Sequence, residues 1–344
     1  MGAAAARESG RPVSAGSSPD PRPAQAGLVV SDLTDFDDGV SAVDTHYVRP
    51  RLDASHLIVH RGRAAFVDTG TALALPHLLA ALEAKGIARE AVDWVLLTHV
   101  HLDHAGGAGT LLEVLPNARV AVHPRGAPHL IDPTRLVAAT REVYGEAAFL
   151  RRYGEVRPIP AARVVVTRDG AEHALAGRVL EFLHTPGHAL HHQAIHDRAA
   201  AIVFAGDTFG VSYRDFDVAG REFIMPATTP SQFDPDQLHA SIERIVGLQP
   251  RAVYLTHYSR VRDIARLARD LHQALRDYVA IAHKHANDPA RARHLQDEIF
   301  AYHSRALDAH GYAGTVGERH ALLDEDVALN VQGLVAWLER RAAT

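Results

Sequence analysis

Residues 96–107 read LLTHVHLDHAGG and place three histidines and an aspartate within six positions. The apolar run VDWVLLT (residues 92–98) ends directly before His99 and has the length of a buried strand. His99 and His101 are two residues apart at the end of this predicted strand, so their side chains point the same way. Two such imidazoles can bind one metal ion at about 2.0–2.1 Å. Asp103 and His104 follow where a glycine pair lets the chain bend, and this turn can present them to a second metal beside the first.

Three further candidate ligands follow predicted strands later in the chain. His188 lies in a Pro-Gly turn after LEFLHT, Asp207 follows AIVFAG, and His257 follows AVYLT. Each has the same local order of apolar strand, polar side chain and turn. Because rigid strands hold the ends of their loops in place, these positions suit a metal site.

The composition narrows the chemistry of such a site. The chain has 344 residues and no cysteine, which excludes disulfides, thiolate ligands and a cysteine nucleophile. Any metal must therefore be bound by nitrogen and oxygen. The formal net charge is −5, which offers no global attraction for nucleic acid or anionic membranes, and we expect neither as a partner. No stretch is apolar for the roughly 18 residues that a membrane-spanning helix needs.

The residue patterns predict three regions. Residues 1–27 are rich in Ala, Gly, Ser and Pro without periodicity, and we expect a disordered tail. They contain no apolar core long enough for a signal peptide, so the predicted location is cytoplasmic. Residues 28–260 alternate strands and helices, which predicts an α/β catalytic domain whose strands end near Tyr258. Residues 261–344 predict a C-terminal helical extension, with Asp324 as the expected N-cap of its last helix.

Taken together, these motifs resemble the metal-ligand series of the metallo-β-lactamase superfamily. The matching residues are His99-x-His101-x-Asp103-His104, His188 in TPGH, Asp207 in GDT, and His257. The FVDTG of residues 66–70 is similar to an early strand motif of that family. The resemblance implies a four-layer αβ/βα sandwich with two metals at one edge and the helical extension as an appendage.

The resemblance also implies roles for individual residues. His99, His101 and His188 would hold the first metal; Asp103, His104 and His257 would hold the second. Asp207 would bridge the two ions. Asp103 would in addition orient a hydroxide, and Asp68 would support the site from behind.

The sequence is most similar to the glyoxalase II and lactonase branch of that family. TPGHALHH resembles the TPGHxxGH of these hydrolases, with His192 as the later histidine and His191 in the place of the glycine. Acyl-homoserine lactonases carry a tyrosine three residues after the bridging aspartate, where this chain has Gly210. The candidates to replace that tyrosine are Tyr213, Tyr258, Tyr47 and His46.

These features predict a dinuclear metallo-hydrolase, in which a metal-bridging hydroxide attacks a small ester, lactone or thioester. Zn²⁺ is the predicted metal, with Fe and Mn as alternatives. The competing hypotheses are a mononuclear iron enzyme like persulfide dioxygenase and a phosphodiesterase or nuclease of the same fold. The expected partners are a small-molecule substrate and a second copy of the chain, bound through the C-terminal helices.

Overall fold

The first β-sheet contains the strand that precedes the histidine cluster. In this computed structural model, which describes residues 32–228 and 232–343, seven strands lie side by side in chain order. The predicted tail at residues 1–27 lies outside the described residues. The strands are β1 (Leu33–Asp35), β2 (Val40–Asp44), β3 (Ala54–His60), β4 (Arg63–Val67), β5 (Val92–Leu96), β6 (Arg119–Val122) and β7 (Val164–Val166). The pairs from β1 to β4 are antiparallel and those from β4 to β7 are parallel.

The second β-sheet contains the strands that precede the other three candidate ligands. Its six strands run in the order β13-β12-β11-β10-β9-β8. They are β8 (Ala171–Leu175), β9 (Arg178–His184), β10 (Gln193–Asp197), β11 (Ile202–Gly206), β12 (Ala252–Leu255) and β13 (Ser259–Val261). The sequence predicts that the strands end near Tyr258. This is wrong, because β13 follows that residue and pairs antiparallel with β12.

The two sheets pack face to face and bury apolar side chains between them. Successive strand residues point to opposite faces, so Leu57 and Ile58 of β3 enter two different clusters. Ile58 and Leu96 of the first sheet join Phe182 and Phe204 of the second in the cluster between the sheets. The inner faces of the two sheets therefore share one apolar cluster.

Helices cover the two outer faces. They are α1 (Leu75–Ala84), α2 (Leu102–Ala105), α3 (Ala108–Val114), α4 (Ala127–Ile131), α5 (Thr134–Tyr144), α6 (Glu146–Tyr153), α7 (Pro235–Gly247), α8 (Ile264–Lys284), α9 (Arg291–His310) and α10 (Val316–Ala342). Helices α1 and α3 pack on the first sheet, and α7 to α10 pack on the second. The order helix, sheet, sheet, helix confirms the predicted αβ/βα sandwich and its C-terminal helices.

The last helix begins earlier than the sequence pattern suggested. Its N-cap is Thr315, whose side chain accepts from the backbone N–H of Glu318, while the Glu318 carboxylate binds the Thr315 backbone. This capping box satisfies two of the free N–H groups at the helix start, so the helix begins there. The prediction of Asp324 as the N-cap is wrong, because Asp324 lies within the helix and bonds to His320.

The C-terminal helices share a core with the second sheet. Leu267, Leu275 and Leu334 are fully buried in one cluster with Phe209 and Phe233. No helix among the described residues has the length and apolar character to cross a membrane.

Removing residues 264–343 is therefore expected to prevent the rest of the chain from folding. The deletion would expose apolar surface at a cost of about 25 cal/mol per Å², so every roughly 400 Å² of newly exposed apolar area costs about 10 kcal/mol, the size of a typical domain's whole net stability. Circular dichroism and size-exclusion chromatography would detect aggregation or loss of structure. Removal of the predicted tail at residues 1–27 is the matched control. A monodisperse, folded truncation would show that the C-terminal helices are dispensable for folding.

Candidate metal centre

Three histidines converge at the edge where the strands of both sheets end. The Nε2 atom of His99 lies 2.8 Å from Nδ1 of His101, which lies 3.2 Å from Nε2 of His188. His99 and His188 are fully buried. The predicted first group of ligands is thus assembled in one place and forms one of the clusters that could hold a metal ion.

The predicted second group lies beside the first. Carboxylate oxygen Oδ2 of Asp103 is 3.8 Å from Nε2 of His104 and 3.7 Å from Nε2 of His257. Asp103 and His104 are brought here by the short helix α2, which begins directly after His101. The turn after β5 therefore supplies ligand atoms to both groups.

Asp207 lies between the two groups and faces each with a different oxygen. Its Oδ2 is 3.3 Å from Nε2 of His188 and 4.0 Å from Nε2 of His99. Its Oδ1 is 3.4 Å from Nε2 of His104 and 3.5 Å from Nε2 of His257. One carboxylate could therefore contact two neighbouring ions.

The donor atoms suit two small cations of the zinc type. A tetrahedral ion with bonds of about 2.0–2.1 Å keeps its ligand atoms about 3.3–3.4 Å apart, similar to the separations in both groups. Nε2 of His104 and Oδ1 of Asp207 are buried, and neither makes a hydrogen bond with the described residues. Buried polar atoms are almost always satisfied, so these two atoms fit a site that binds a cation.

The electrostatics of the two groups differ. Burial, together with the neighbouring histidines, lowers the pKa of His99 and His101 well below the usual value, so both rings are neutral and offer free lone pairs. Burial also acts to lower the pKa of His104, but the carboxylates of Asp207 and Asp103 outweigh it and raise that pKa well above the usual value. The second group therefore has the stronger attraction for positive charge.

Asp68 fixes the outer side of the second group. Its buried carboxylate accepts from Nδ1 of His104 at 2.9 Å, which turns Nε2 of that ring toward the site. It also accepts from the backbone and side chain of Thr98, both at 2.8 Å, and from Oγ1 of Thr256 at 2.9 Å. Asp68 thus lies on the Nδ1 side of His104, opposite the nitrogen that faces Asp103 and Asp207. Because Thr98 follows β5 and Thr256 follows β12, the Asp68 carboxylate connects the loops after these two strands.

Asp53 forms an ion pair with the outer nitrogen of His257 and was not predicted. Its carboxylate is fully buried, and Oδ1 lies 2.6 Å from Nδ1 of His257. Asp53 comes directly before β3, in a segment without a ligand motif. Only the tertiary fold brings it to His257, so the local sequence carried no signal for it.

His192 contacts the backbone of Asp207. The backbone N–H of Asp207 donates to Nε2 of His192 at 3.2 Å, and Nδ1 of that ring contacts the hydroxyls of Thr185 and Thr208. Gly206 makes this approach possible, because a Cβ there would lie 2.6 Å from Nε2 of His192. His192 is therefore a positioning residue of the site.

A cavity of about 550 Å³ opens over the candidate metal centre. His101, Asp103, Asp207 and His257 contribute to its lining. Most of its remaining wall is apolar and comes from the loops after β2 and β5 and from helices α5 and α10, including Leu52, Val100, Leu102, Leu136, Leu322 and Leu329. Such a cavity suits a small, largely apolar ligand with a reactive group at the metals.

The remaining candidate residues have different surroundings. His191 lines the cavity next to His101, with the ring centroids 5.4 Å apart, and burial lowers its pKa to about 3. Tyr213 also lines this cavity, and its hydroxyl donates to Asp326 of α10 at 3.1 Å. Tyr258 lines a second, smaller cavity among arginine and acidic side chains.

Gly210 departs from the lactonase pattern for a structural reason. Its φ of +74° is unfavourable for other residues, and a Cβ there would lie 2.3 Å from the carbonyl oxygen of Met225. A tyrosine does not fit this backbone. Tyr213 is the tyrosine of this loop that reaches the cavity.

Comparisons with known proteins agree with this geometry. A metallo-beta-lactamase fold-containing protein of Sulfurisphaera tokodaii is 26% identical over 170 residues, which are 48% of this chain and 60% of that protein. A hydroxyacylglutathione hydrolase of Acidiphilium cryptum is 32% identical over 216 residues, 62% of this chain and 67% of that protein. The chain spans about three fifths of the first curated relatives that it matches.

The fold comparison extends over more of the chain. The crystal structure of a metallo-beta-lactamase family protein from Thermus thermophilus has a TM-score of 0.63 at 20% identity and covers 89% of this chain and 94% of its own. The family model described as the metallo-beta-lactamase superfamily matches residues 49–257, which include all seven candidate ligands. The chain belongs to the metallo-beta-lactamase superfamily.

Proposed function

We propose that this protein is a metal-dependent hydrolase that binds two divalent ions and cleaves a small ester, lactone or thioester. The observation that carries the proposal is the position of Asp207, which presents one oxygen to His99 and His188 and the other to His104 and His257. The same-family relative in Acidiphilium cryptum, named a hydroxyacylglutathione hydrolase, supports the thioester class.

In this proposal His99, His101 and His188 hold the first ion, Asp103, His104 and His257 hold the second, and Asp207 binds both. Zn²⁺ is the proposed metal, because all donors are nitrogen and oxygen and the histidines outnumber the carboxylates. When bound, two such ions lower the pKa of a shared water to about 7 and polarise the substrate carbonyl.

The side chains around the ions would bind the substrate, orient the attacking water and hold the ligand histidines in place. The apolar cavity wall would hold the acyl part of the substrate and exclude bulk water from the reacting carbonyl. Asp103 lies at the cavity floor and would orient the attacking water through its carboxylate. Asp68 and Asp53 would keep the Nε2 atoms of His104 and His257 directed at the ion.

Metal removal tests this proposal. Dialysis against a strong chelator is expected to abolish hydrolysis, and addition of Zn²⁺ or Mn²⁺ is expected to restore it, since every candidate ligand is an ordinary side chain that can rebind. The assay is a panel of lactone, thioester, phosphodiester and β-lactam substrates, with the chelator-treated and mock-treated proteins compared at equal concentration. Unchanged turnover after complete metal removal would exclude the proposed mechanism, and activity confined to phosphodiesters would favour the nuclease class.

A further inference from the structure

The outer nitrogen of His188 is held by a backbone carbonyl in another part of the chain. Its Nδ1 donates to the carbonyl oxygen of Ala227 at 2.9 Å, and its Nε2 faces His101 and Asp207. The direction of the His188 ring therefore depends on where the Ala227 carbonyl lies.

The side chain of Asn330 fixes the two residues on either side of Ala227. The backbone N–H of Thr228 donates to Oδ1 of Asn330 at 2.7 Å, and Nδ2 of Asn330 donates to the carbonyl oxygen of Pro226 at 3.1 Å. The Thr228 hydroxyl also donates to the Asn330 backbone carbonyl at 3.0 Å. A single amide thus holds the peptide units on both sides of Ala227.

Asn330 lies in the middle of α10, a helix of 27 residues, and is 4% exposed. Asparagine is a weak helix former, and a buried amide is costly unless its hydrogen bonds are made. Its bonds to the 226–228 segment account for its presence in an otherwise apolar face that includes Val327, Val331 and Leu334.

A second contact, one turn earlier on the same helix, reaches the other side of the site. Asp326 accepts from the Tyr213 hydroxyl at 3.1 Å. The neighbouring residue Ser212 donates its backbone N–H to the carbonyl oxygen of His257 at 2.6 Å. Helix α10 is therefore linked to the loops that carry both His188 and His257.

We propose that Asn330 is a positioning residue for His188, so that the C-terminal helix α10 is a structural part of the metal centre. The inference rests on the metal site in the proposed function. It means that α10 sets the affinity and geometry of the first ion, in addition to lining the cavity. Groups that orient metal-binding histidines typically contribute about 10–100-fold in metal affinity.

The test compares metal binding by the full-length protein, Asn330→Ala and Leu334→Ala. Leu334 lies one turn further along α10 and is fully buried, so its truncation destabilises the fold without removing any of the Asn330 hydrogen bonds. Metal affinity is measured by competition with a chromophoric chelator, and the geometry of each site is followed by the visible absorption of bound Co²⁺. Thermal unfolding of the metal-free proteins reports stability separately.

We expect Asn330→Ala to bind one of its two ions about 10-fold or more weakly and to change the Co²⁺ spectrum. Leu334→Ala should lower the unfolding temperature but keep both ions and the wild-type spectrum. Wild-type affinity and spectrum in Asn330→Ala would overturn the inference, and so would an equal loss of affinity in Leu334→Ala. If Asn330→Ala does not fold, the variant Thr228→Val replaces it in the test, because it removes the hydrogen bond from the Thr228 hydroxyl to Asn330. A few-fold weaker binding of one ion by this variant supports the inference, and unchanged binding overturns it.

The same experiment separates this inference from the proposed function. A wild-type protein that binds no metal overturns both. Two ions in the wild type, bound equally well by Asn330→Ala, overturn the role of Asn330 and leave the proposed function standing.

Discussion

Replacement of Asp207 by alanine is expected to abolish hydrolysis and to leave at most one bound ion per chain. Asp207 is the residue whose two oxygens face the two groups of histidines. Without it, the ions would lose a shared ligand and the negative charge that lies between them. We expect turnover to fall by at least about three orders of magnitude, because the reaction depends on both ions. Steady-state kinetics and elemental analysis of the same preparations give the two readouts.

The control for this variant is Asp324→Ala, which removes an exposed carboxylate on α10 that bonds only to His320 among the described residues. It should keep full activity and metal content. Asp207→Asn retains the size of the side chain and one carbonyl oxygen, so it should bind metal better than Asp207→Ala while staying inactive. Full activity in Asp207→Ala would refute the bridging role.

Replacement of Asp68 by alanine is expected to have the largest effect on stability of any single change at the site. The side chain is fully buried and accepts four hydrogen bonds, from Thr98 twice, from His104 and from Thr256. Its loss would leave those donors buried without a partner, and removal of one member of such a network typically costs about 3–5 kcal/mol. The free energy of unfolding from denaturant titration measures this directly.

Thr256→Val is the matched control, since it removes only one of the four hydrogen bonds and keeps the volume of the side chain. It should reduce the free energy of unfolding by about 1 kcal/mol. A difference below about 1 kcal/mol between Asp68→Ala and the wild type would show that Asp68 does not hold the loops together. The metal-free protein is the appropriate reference, so that metal binding does not mask the change.

The candidate ligands could be predicted because their chemistry is local. Each of His99, His188, Asp207 and His257 follows a strand whose apolar pattern is visible in the sequence. The end of a strand sets the backbone position of the residue that follows it, and the family motifs supplied the order of the ligands. The alternation of strands and helices predicted a layered α/β domain, and the αβ/βα order of the layers was implied by the family resemblance.

The supporting residues could not be predicted, because the fold brings them together from distant parts of the chain. Asp53 meets His257, and Asn330 meets Thr228, across more than one hundred residues. Neither position carries a motif, and an asparagine within a helix gives no sign of its partner. The contribution of α5 and α10 to the cavity wall likewise depends on tertiary packing. Association of two chains through the C-terminal helices stays a prediction.

The number of metal ions bound per chain tests the central claim most directly. We predict that the purified protein, equilibrated with Zn²⁺ and freed of unbound metal, contains two ions per chain by inductively coupled plasma mass spectrometry. A single iron per chain, together with oxygen consumption in the presence of a persulfide, would contradict the dinuclear hydrolase and favour the mononuclear oxygenase instead.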